Sequence, residues 1–191
     1  MNQNDNNPLT RAVFLDRDGV INRDRKYTYQ SHRFEFLPGA LDGLAALAPG
    51  FLKIIVTNQS GIARGYYTEN DFRELNRWLL SVLNQLKIKI DDIIYCPHHP
   101  DEECLCRKPK IGMLLKSKQK YDIDLKRSFF IGDMDSDMLT GRNAGCATIL
   151  IRDSENNLND GAEQHADYIV DSLLKAAEII NNSSISDIME V

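Results

Sequence analysis

Short apolar segments alternate with longer amphipathic segments along the middle of the chain. The apolar segments span residues 12–15, 51–56, 93–95, 128–131, 147–151 and 169–170. They are rich in β-branched and aromatic residues and are nearly free of polar interruptions. This pattern predicts short strands that are buried on both faces, as in a parallel sheet.

The amphipathic segments carry the signals that start and stop helices. The predicted helices lie between residues 40 and 48, from 69 to 86, from 109 to 115, from 138 to 144 and near 171–180. Thr68 and Asp71 form a capping-box-like start for the second helix, Pro109 starts the third, and Gly145 ends the fourth. Alternating strands and helices predict an α/β fold with a doubly wound, mainly parallel sheet and helices on both faces.

Length and polarity then predict one domain with two loose ends. The chain has 191 residues, which is the length of a single domain. Residues 1–9 are polar and rich in Asn and predict a disordered tail, and residues 181–191 predict a loose C-terminal tail. The single predicted domain therefore covers residues 10–180.

Charge and hydropathy exclude several classes of partner. The chain has 28 acidic and 23 basic residues, a formal charge of −5, which argues against binding nucleic acid through bulk positive charge. No apolar run approaches the roughly 18 residues that span a bilayer, and the polar N-terminus is unlike a signal peptide. We expect a cytoplasmic protein that binds neither nucleic acid nor membrane and acts as a monomer.

Acidic residues stand directly after two of the predicted strands. Asp16 and Asp18 follow the first strand, and Asp133 follows Gly132 at the end of the fourth. Because the carboxyl ends of parallel strands share one edge of the sheet, these carboxylates should meet there. Like charges at that distance need a cation, and carboxylate oxygens suit Mg²⁺. Asp137 is expected to hold Asp133 in position without binding the cation itself.

Two further groups complete a pattern suited to phosphoryl chemistry. Thr57 opens a hydroxyl- and amide-rich turn after the second strand, and Lys108 precedes a predicted helix start. A hydroxyl and an ammonium stabilise phosphoryl oxygens, and a metal-neutralised carboxylate can attack phosphorus.

With these motifs in this order, the chain resembles the haloacid dehalogenase superfamily of phosphatases over residues 11–151. The resemblance implies that Asp16 is the nucleophile that forms an aspartyl phosphate, and that Asp18 is the general acid and then the general base. It also implies that Thr57 and Lys108 hold the phosphoryl group. Mg²⁺ is then ligated by Asp16, Asp133 and the backbone carbonyl of Asp18.

Four potential soft ligands lie within an eleven-residue segment. Cys96, His98, Cys104 and Cys106 have the spacing of a closed tetrahedral Zn²⁺ site, which predicts a zinc loop over 96–108. Two core cysteines plus a disulfide are the alternative, although a cytoplasmic compartment disfavours a disulfide. With all four positions filled by protein, this zinc is structural.

The zinc loop narrows the resemblance to a small group of superfamily members without a cap domain. This group contains heptose-bisphosphate phosphatases and histidinol phosphatases, and the run over residues 57–65 is similar to the former. The resemblance implies hydrolysis of the 7-phosphate of a heptose 1,7-bisphosphate, on the way to nucleotide-activated heptose for lipopolysaccharide or other surface glycans. The implied substrate-binding residues are Asp24, Arg25, Lys26, Tyr27, Asn58, Gln59, Ser60 and Arg107, with Arg64 as a less direct helper.

Two departures from the family pattern and two alternatives accompany this interpretation. Lys26 stands where the family commonly has glycine, and Met134 stands where it usually has a basic residue. The alternatives are a histidinol-phosphate phosphatase and a non-catalytic, zinc-stabilised domain that binds a sugar phosphate. Intact Asp16 and Asp18 argue against the non-catalytic domain.

Overall fold

The protein is described by a computed structural model that covers residues 10–152 and 161–189; the predicted N-terminal tail lies outside these residues. Its strands are β1 (Arg11–Leu15), β2 (Phe51–Asn58), β3 (Asp92–Cys96), β4 (Phe129–Gly132), β5 (Ala147–Ile151) and β6 (Tyr168–Val170). They form one sheet in the order β3-β2-β1-β4-β5-β6, and every neighbouring pair is parallel. All six predicted strands are confirmed.

Five α-helices connect or follow these strands. They are α1 (Ala40–Ala46), α2 (Glu69–Gln85), α3 (Gly112–Tyr121), α4 (Asp135–Ala144) and α5 (Leu173–Met189). Thr68 caps α2 in a reciprocal box with Asp71, as the spacing predicts. Gly145 ends α4 in the left-handed conformation, at φ 84°, which glycine adopts without strain.

Side chains of β1 show how the helices cover the sheet. Val13 and Leu15 point into a core shared with α1, α2 and α5. Ala12 and Phe14 point the other way, into a core that includes Met113 of α3. Helices therefore cover both faces, and the predicted doubly wound α/β fold is confirmed.

The order of the strands places a cleft at one edge of the sheet. Strand β1 lies between β2 and β4, and the chain winds outward in opposite directions from this point. In open parallel sheets, ligands bind outside the carboxyl ends of the strands at such a switch point. The connection from β1 to β2 contains only a short 3₁₀ turn, Ser31–Arg33, and α1, and α2 alone connects β2 to β3. No separate cap domain covers the cleft within the described residues.

Helices α3, α4 and α5 differ most from the sequence prediction, and α3 also continues beyond the predicted end, to Tyr121. Helix α3 begins at Gly112 and not at Pro109, because the Asn58 side chain bonds both the N–H and the carbonyl of Lys108 and keeps this segment out of the helix. Helix α4 begins at Asp135, ahead of the predicted Met138, because Asp137 caps its first turn. Helix α5 continues to Met189 and so includes residues 181–189, for which the sequence predicts a loose tail.

None of the helices in the described part of the chain has the length and apolar character needed to cross a membrane.

Candidate active site

The carboxyl ends of β1, β2 and β4 border a polar cleft of about 460 Å³. It is lined by Asp16, Asp18, Asp24, Lys26, Tyr27, Thr57, Asn58, Gln59, Ser60, Tyr67, Arg107, Lys108, Asp133, Met134, Ser136 and Asp137. The structure therefore brings together nearly all of the residues that the sequence nominated for catalysis and substrate binding.

Lys108 is the buried cation at the centre of this cleft. Its Nζ lies 2.8 Å from Asp16 Oδ1 and 2.6 Å from Asp137 Oδ1, and it donates a hydrogen bond of 3.0 Å to the Val56 carbonyl. Burial by itself lowers the pKa of a lysine, but the charges of Asp137 and Asp16 outweigh it and raise the pKa of Lys108 above its usual value. Lys108 therefore stays protonated and presents a fixed positive charge beside Asp16.

Asp16 and Asp133 carry more negative charge than Lys108 can neutralise. Burial raises the pKa of Asp16 to about 7 against the opposing charge of Lys108, and the charge of Asp137 adds to the effect. Burial and the charges of Asp137 and Asp16 raise the pKa of Asp133 well above its usual value. Asp133 is 4% exposed and its Oδ1 has no hydrogen-bond partner within the described residues. Such an arrangement fits a hard divalent cation.

Asp137 supports Asp133, as the sequence predicts. One carboxylate oxygen from each of Asp16, Asp133 and Asp137 lies within 4.8 Å of the others. However, Asp137 Oδ1 contacts Lys108, and its Oδ2 accepts hydrogen bonds from the backbone N–H groups of Asp133 and Met134 at 3.3 and 3.2 Å. Both oxygens of Asp137 are thus engaged, and Asp16 and Asp133 retain oxygens that can face a metal.

Glycine at position 19 makes room for Asp133. Gly19 has φ 87°, and a Cβ at this position would lie 2.0 Å from Asp133 Oδ2. Only glycine combines this backbone conformation with so close an approach. The Asp-x-Asp-Gly motif therefore shapes the acidic site through its glycine as well as its carboxylates.

The Asp18 carboxylate is held by three side chains. Arg17 Nη2 donates to both carboxylate oxygens at 3.0 and 2.9 Å, Asn22 Nδ2 donates to Oδ1 at 2.8 Å, and Gln59 Nε2 donates to Oδ2 at 3.2 Å. Arg17 is fully buried. Sequence reasoning missed it because an arginine between two site carboxylates resembles a solvent-exposed residue.

Residues 24–27 form one rim of the cleft in a strained conformation. Lys26 and Tyr27 have φ of 52° and 61°, in the left-handed region that disfavours residues with a Cβ. The Lys26 N–H donates to Asp24 Oδ1 at 2.7 Å, and Tyr27 packs edge-on against Tyr66 with ring centroids 4.6 Å apart. This geometry explains why glycine suits position 26.

Two of the nominated arginines lie outside the cleft. Arg25 pairs with Glu35 and does not line the cleft, so the structure does not bring it together with the other nominated substrate-binding residues. Its neighbours at positions 24 and 26 face the cleft, and the turn between them directs the intervening side chain outward. Arg64 is exposed and does not line the cleft.

Arg107 lines the cleft, and its Nη1 is buried without a hydrogen-bond partner among the described residues. Unpaired buried guanidinium groups are costly, so this nitrogen is suited to an anionic ligand. Asn58 lies nearby but uses both ends of its amide to hold the Lys108 backbone, at 3.1 and 3.3 Å. Asn58 is therefore a support for Lys108 more than a free contact for substrate.

Comparison with known proteins agrees with this geometry. A family model described as HAD-hydrolase-like matches residues 105–176. A D-glycero-alpha-D-manno-heptose-1,7-bisphosphate 7-phosphatase from Campylobacter jejuni is 51% identical over 152 residues, which are 79% of this chain and 87% of the relative. The chain belongs to this phosphatase family.

Other heptose-bisphosphate phosphatases match over still more of the chain. The beta-heptose enzyme of Pasteurella multocida is 39% identical over 180 residues, which are 90% of this chain and 97% of the relative. A crystal structure of D,D-heptose 1,7-bisphosphate phosphatase from B. bronchiseptica, complexed with magnesium and phosphate, has a TM-score of 0.82 and 30% identity. The superposition covers 91% of this chain and 99% of the B. bronchiseptica chain. The predicted family resemblance is confirmed.

The cysteine-rich loop of this family member has the geometry of a four-ligand site. Cys96 Sγ lies 3.7 Å from Cys104 Sγ and 3.4 Å from His98 Nδ1, which lies 3.2 Å from Cys106 Sγ. Two sulfurs that each bind zinc at about 2.3 Å in a tetrahedron are about 3.8 Å apart. All four cysteines of the chain are free thiols, which excludes a disulfide in this structure. His99 Nδ1 instead lies 3.3 Å from Asp101 Oδ2, and His98 is the histidine that lies together with the three cysteines.

Proposed function

We propose that this chain hydrolyses the 7-phosphate of D-glycero-D-manno-heptose 1,7-bisphosphate through an aspartyl phosphate, an acyl phosphate, formed on Asp16. The observation that carries the proposal is the buried Asp16–Lys108 pair at the carboxyl edge of the sheet, in a chain 51% identical to a phosphatase with this substrate. Asp16 attacks phosphorus, and the bond between phosphorus and the sugar oxygen breaks. Asp18 gives its proton to that oxygen, then takes a proton from the water that hydrolyses the acyl phosphate on Asp16.

The phosphoryl oxygens need positive charge and hydrogen-bond donors during both steps. The Lys108 ammonium lies 2.8 Å from Asp16 and is therefore in reach of a phosphoryl group attached there. Thr57 lies at the end of β2 and contributes a hydroxyl donor. Because both groups are fixed before substrate arrives, they stabilise developing charge with little reorganisation.

Asp16, Asp133 and the backbone carbonyl of Asp18 would hold Mg²⁺ in this site. The unpartnered Oδ1 of Asp133 and the raised pKa values of Asp16 and Asp133 fit such a cation. Bound Mg²⁺ neutralises the nucleophile and polarises the phosphoryl group. The enzyme of B. bronchiseptica was solved with magnesium and phosphate, which supports this assignment.

The outer part of the cleft is suited to the second phosphate. Arg107 offers the unpartnered Nη1, and Lys26 adds a second cation to the lining of the cleft. Histidinol phosphate would place an ammonium near Arg107, where the repulsion is about 1 kcal/mol at 4 Å in water and larger in a desolvated site. We therefore assign the 1-phosphate of the heptose to Arg107.

Zn²⁺ bound by Cys96, His98, Cys104 and Cys106 is proposed as a structural ion. Their mutual distances fit tetrahedral coordination, and Lys108 follows closely after Cys106 in the chain. The ion would fix the loop that carries Arg107 and Lys108 and takes no part in the chemistry. We further propose that the protein acts as a cytoplasmic monomer and supplies heptose 1-phosphate for nucleotide-activated heptose used in surface glycans.

The decisive experiment compares kcat/KM for the heptose 1,7-bisphosphate and for histidinol phosphate, in the wild type and in Arg107→Ala. The wild type should prefer the bisphosphate. Arg107→Ala should reduce this preference roughly ten- to a hundredfold, as expected for a lost charged hydrogen bond of about 1.5–3 kcal/mol. A wild-type preference for histidinol phosphate would contradict the proposed substrate. An unchanged ratio of the two kcat/KM values in Arg107→Ala would show that Arg107 does not determine substrate preference.

A further inference from the structure

Tyr67 lines the cleft, and its ring is held between neighbouring residues. It is 6% exposed, and its ring stacks on Tyr29 with centroids 5.1 Å apart and an angle of 15° between the rings. Gly61 also packs against this ring, so closely that a Cβ at Gly61 would lie 2.2 Å from Tyr67 Cε1. Burial raises the pKa of the Tyr67 phenol, which therefore keeps its proton and can donate a hydrogen bond.

The partner of this phenol is the side-chain amide of Gln59. The Tyr67 hydroxyl donates to Gln59 Oε1 at 2.5 Å, which leaves the amide nitrogen facing the catalytic groups. Gln59 Nε2 donates one hydrogen to Thr57 Oγ1 at 2.9 Å and the other to Asp18 Oδ2 at 3.2 Å. Both ends of a side chain that is 3% exposed are thus engaged by protein.

The orientation of the amide matters to both catalytic residues. By accepting from Gln59, Thr57 Oγ1 has its own hydrogen free to donate to a phosphoryl oxygen. The same amide holds one oxygen of Asp18. If the amide were reversed, its oxygen would face the ionised Asp18 carboxylate, which has no hydrogen to donate. The reversed amide could then bond Thr57 only by accepting the hydroxyl hydrogen that a phosphoryl oxygen needs.

We infer that Tyr67 is a positioning residue of the phosphatase site, because its hydroxyl fixes the Gln59 amide in the orientation that braces Thr57 and Asp18 together. The inference rests on the proposed function, since it concerns the groups assigned there to phosphoryl transfer. It also changes the interpretation of Gln59, which was nominated from the sequence as a contact for substrate. Its amide is a link between two catalytic residues.

The test begins with Tyr67→Phe, which removes one oxygen atom and keeps the stacked ring. The expected result is a fall in kcat of about ten- to a hundredfold with KM changed less than about threefold, because the groups affected act mainly on the transition state. Tyr29→Phe is the matched control, since it removes a hydroxyl from the other ring of the stack. It should leave both constants within about twofold of the wild type.

A double variant separates positioning from a general loss of packing. If Tyr67 acts through Gln59, Tyr67→Phe combined with Gln59→Met should be no slower than Gln59→Met alone, because coupled residues are not additive. Losses that multiply would overturn the inference. A kcat for Tyr67→Phe within twofold of the wild type, or an equal loss in Tyr29→Phe, would also overturn it.

The assays use an aryl phosphate beside the heptose bisphosphate, so that the two proposals fail separately. Hydrolysis of the aryl phosphate alone would reject the proposed sugar substrate and still allow the variants to be compared. If the wild type hydrolysed neither phosphate, the proposed function would be wrong. The NMR resonances of the Gln59 side-chain amide would then decide whether Tyr67 orients this amide. These resonances should change in Tyr67→Phe and not in Tyr29→Phe; unchanged resonances in Tyr67→Phe would overturn the inference.

Discussion

At the scale of single residues, the site is a cluster of buried charges in which each group is placed by its neighbours. Lys108 lies between Asp16 and Asp137, at 2.8 and 2.6 Å, and Asp18 accepts hydrogen bonds from three side chains. Breaking a buried ion pair by removing one partner is strongly destabilising, because the remaining charge is left without compensation. Roles in catalysis are therefore best tested with substitutions that keep shape and remove a single chemical property.

Asp18→Asn is such a substitution. The amide cannot donate a proton to the leaving oxygen, so sugar phosphate hydrolysis should fall by about 10²–10⁴-fold, the usual value of general acid catalysis. An aryl phosphate has a better leaving group, and its first step needs less acid. Single-turnover formation of the Asp16 phosphate from an aryl phosphate should fall much less, and equal losses for the two substrates would contradict the general-acid role.

Most residues of the candidate site could be predicted from the sequence, but the residues that hold them in position could not. Local sequence patterns, either a strand end or a family motif, identify Asp16, Thr57, Lys108 and Asp133. Arg17 and Tyr67 leave none, because their function depends on side chains brought near by the fold, such as Gln59 for Tyr67. The position of Arg25 outside the cleft could not be predicted for a similar reason, since its side chain pairs with Glu35, ten residues away, beside the turn at Lys26.

At the scale of elements, strands were predicted more accurately than the boundaries of helices. Buried parallel strands such as β1 and β4 are short apolar runs, and their ends coincide with polar residues of the site. The start of α3 depends instead on Asn58, which is fifty positions away in the chain and holds the Lys108 backbone. A long-range hydrogen bond of this kind overrides the local signal of Pro109.

The strained rim at Lys26 gives a prediction about stability. Lys26→Gly should raise the free energy of unfolding by about 0.5–1 kcal/mol, because glycine relieves the cost of the left-handed backbone but loses more entropy on folding. Chemical denaturation measures the change. Lys26→Ala is the control, since it removes the same charge and keeps the strain; equal stabilisation by both variants would show that charge and not backbone conformation is responsible.

The zinc loop gives a second prediction at this scale. Removing Zn²⁺ should lower the melting temperature and abolish activity, because the loop positions Arg107 and Lys108. Mg²⁺ added alone should restore neither property, and Zn²⁺ followed by Mg²⁺ should restore both. Cys146 lies outside the cluster, so Cys146→Ala is a control for the loss of a thiol. Full activity in zinc-free protein would exclude a role for this loop in placing Lys108.

At the scale of the whole molecule, one sheet edge combines Asp16, Asp133 and Asp137 with the Lys108 cation. Strands β2, β1 and β4 are neighbours, and each contributes its carboxyl end to the same cleft. Concentrating acids there costs stability unless they are protonated or bound to a cation. The folding free energy should therefore depend on pH and Mg²⁺ together.

Without Mg²⁺, stability should fall as the pH rises from 5 to 8. Burial raises the pKa of Asp16 from 3.8 to about 7, so in this window the folded protein holds a proton that the unfolded chain releases. The raised pKa of Asp133 acts in the same direction. Lys108, Asp137 and Asp18 face Asp16, and of these Lys108 alone opposes the shift.

Added Mg²⁺ should reverse this loss, so that its effect on the melting temperature is larger at pH 8 than at pH 6. Thermal denaturation across this pH range, with and without Mg²⁺, measures the effect. Asp133→Asn should lose most of the Mg²⁺-dependent gain while retaining the fold. A Mg²⁺ effect that is equal at both pH values would contradict coupling between metal binding and deprotonation of these carboxylates.

The position of Lys108, two residues after Cys106, has a consequence for inhibition. The cleft is polar and is lined by charged side chains such as Lys26, Arg107 and Lys108, which makes it difficult for an uncharged, membrane-permeable compound to occupy. The four-ligand cluster offers a different target for an inhibitor. A reagent that alkylates Cys104 or removes the proposed Zn²⁺ would displace Lys108 without entering the cleft. Such an inhibitor would be non-competitive, and a high concentration of substrate would give no protection against it.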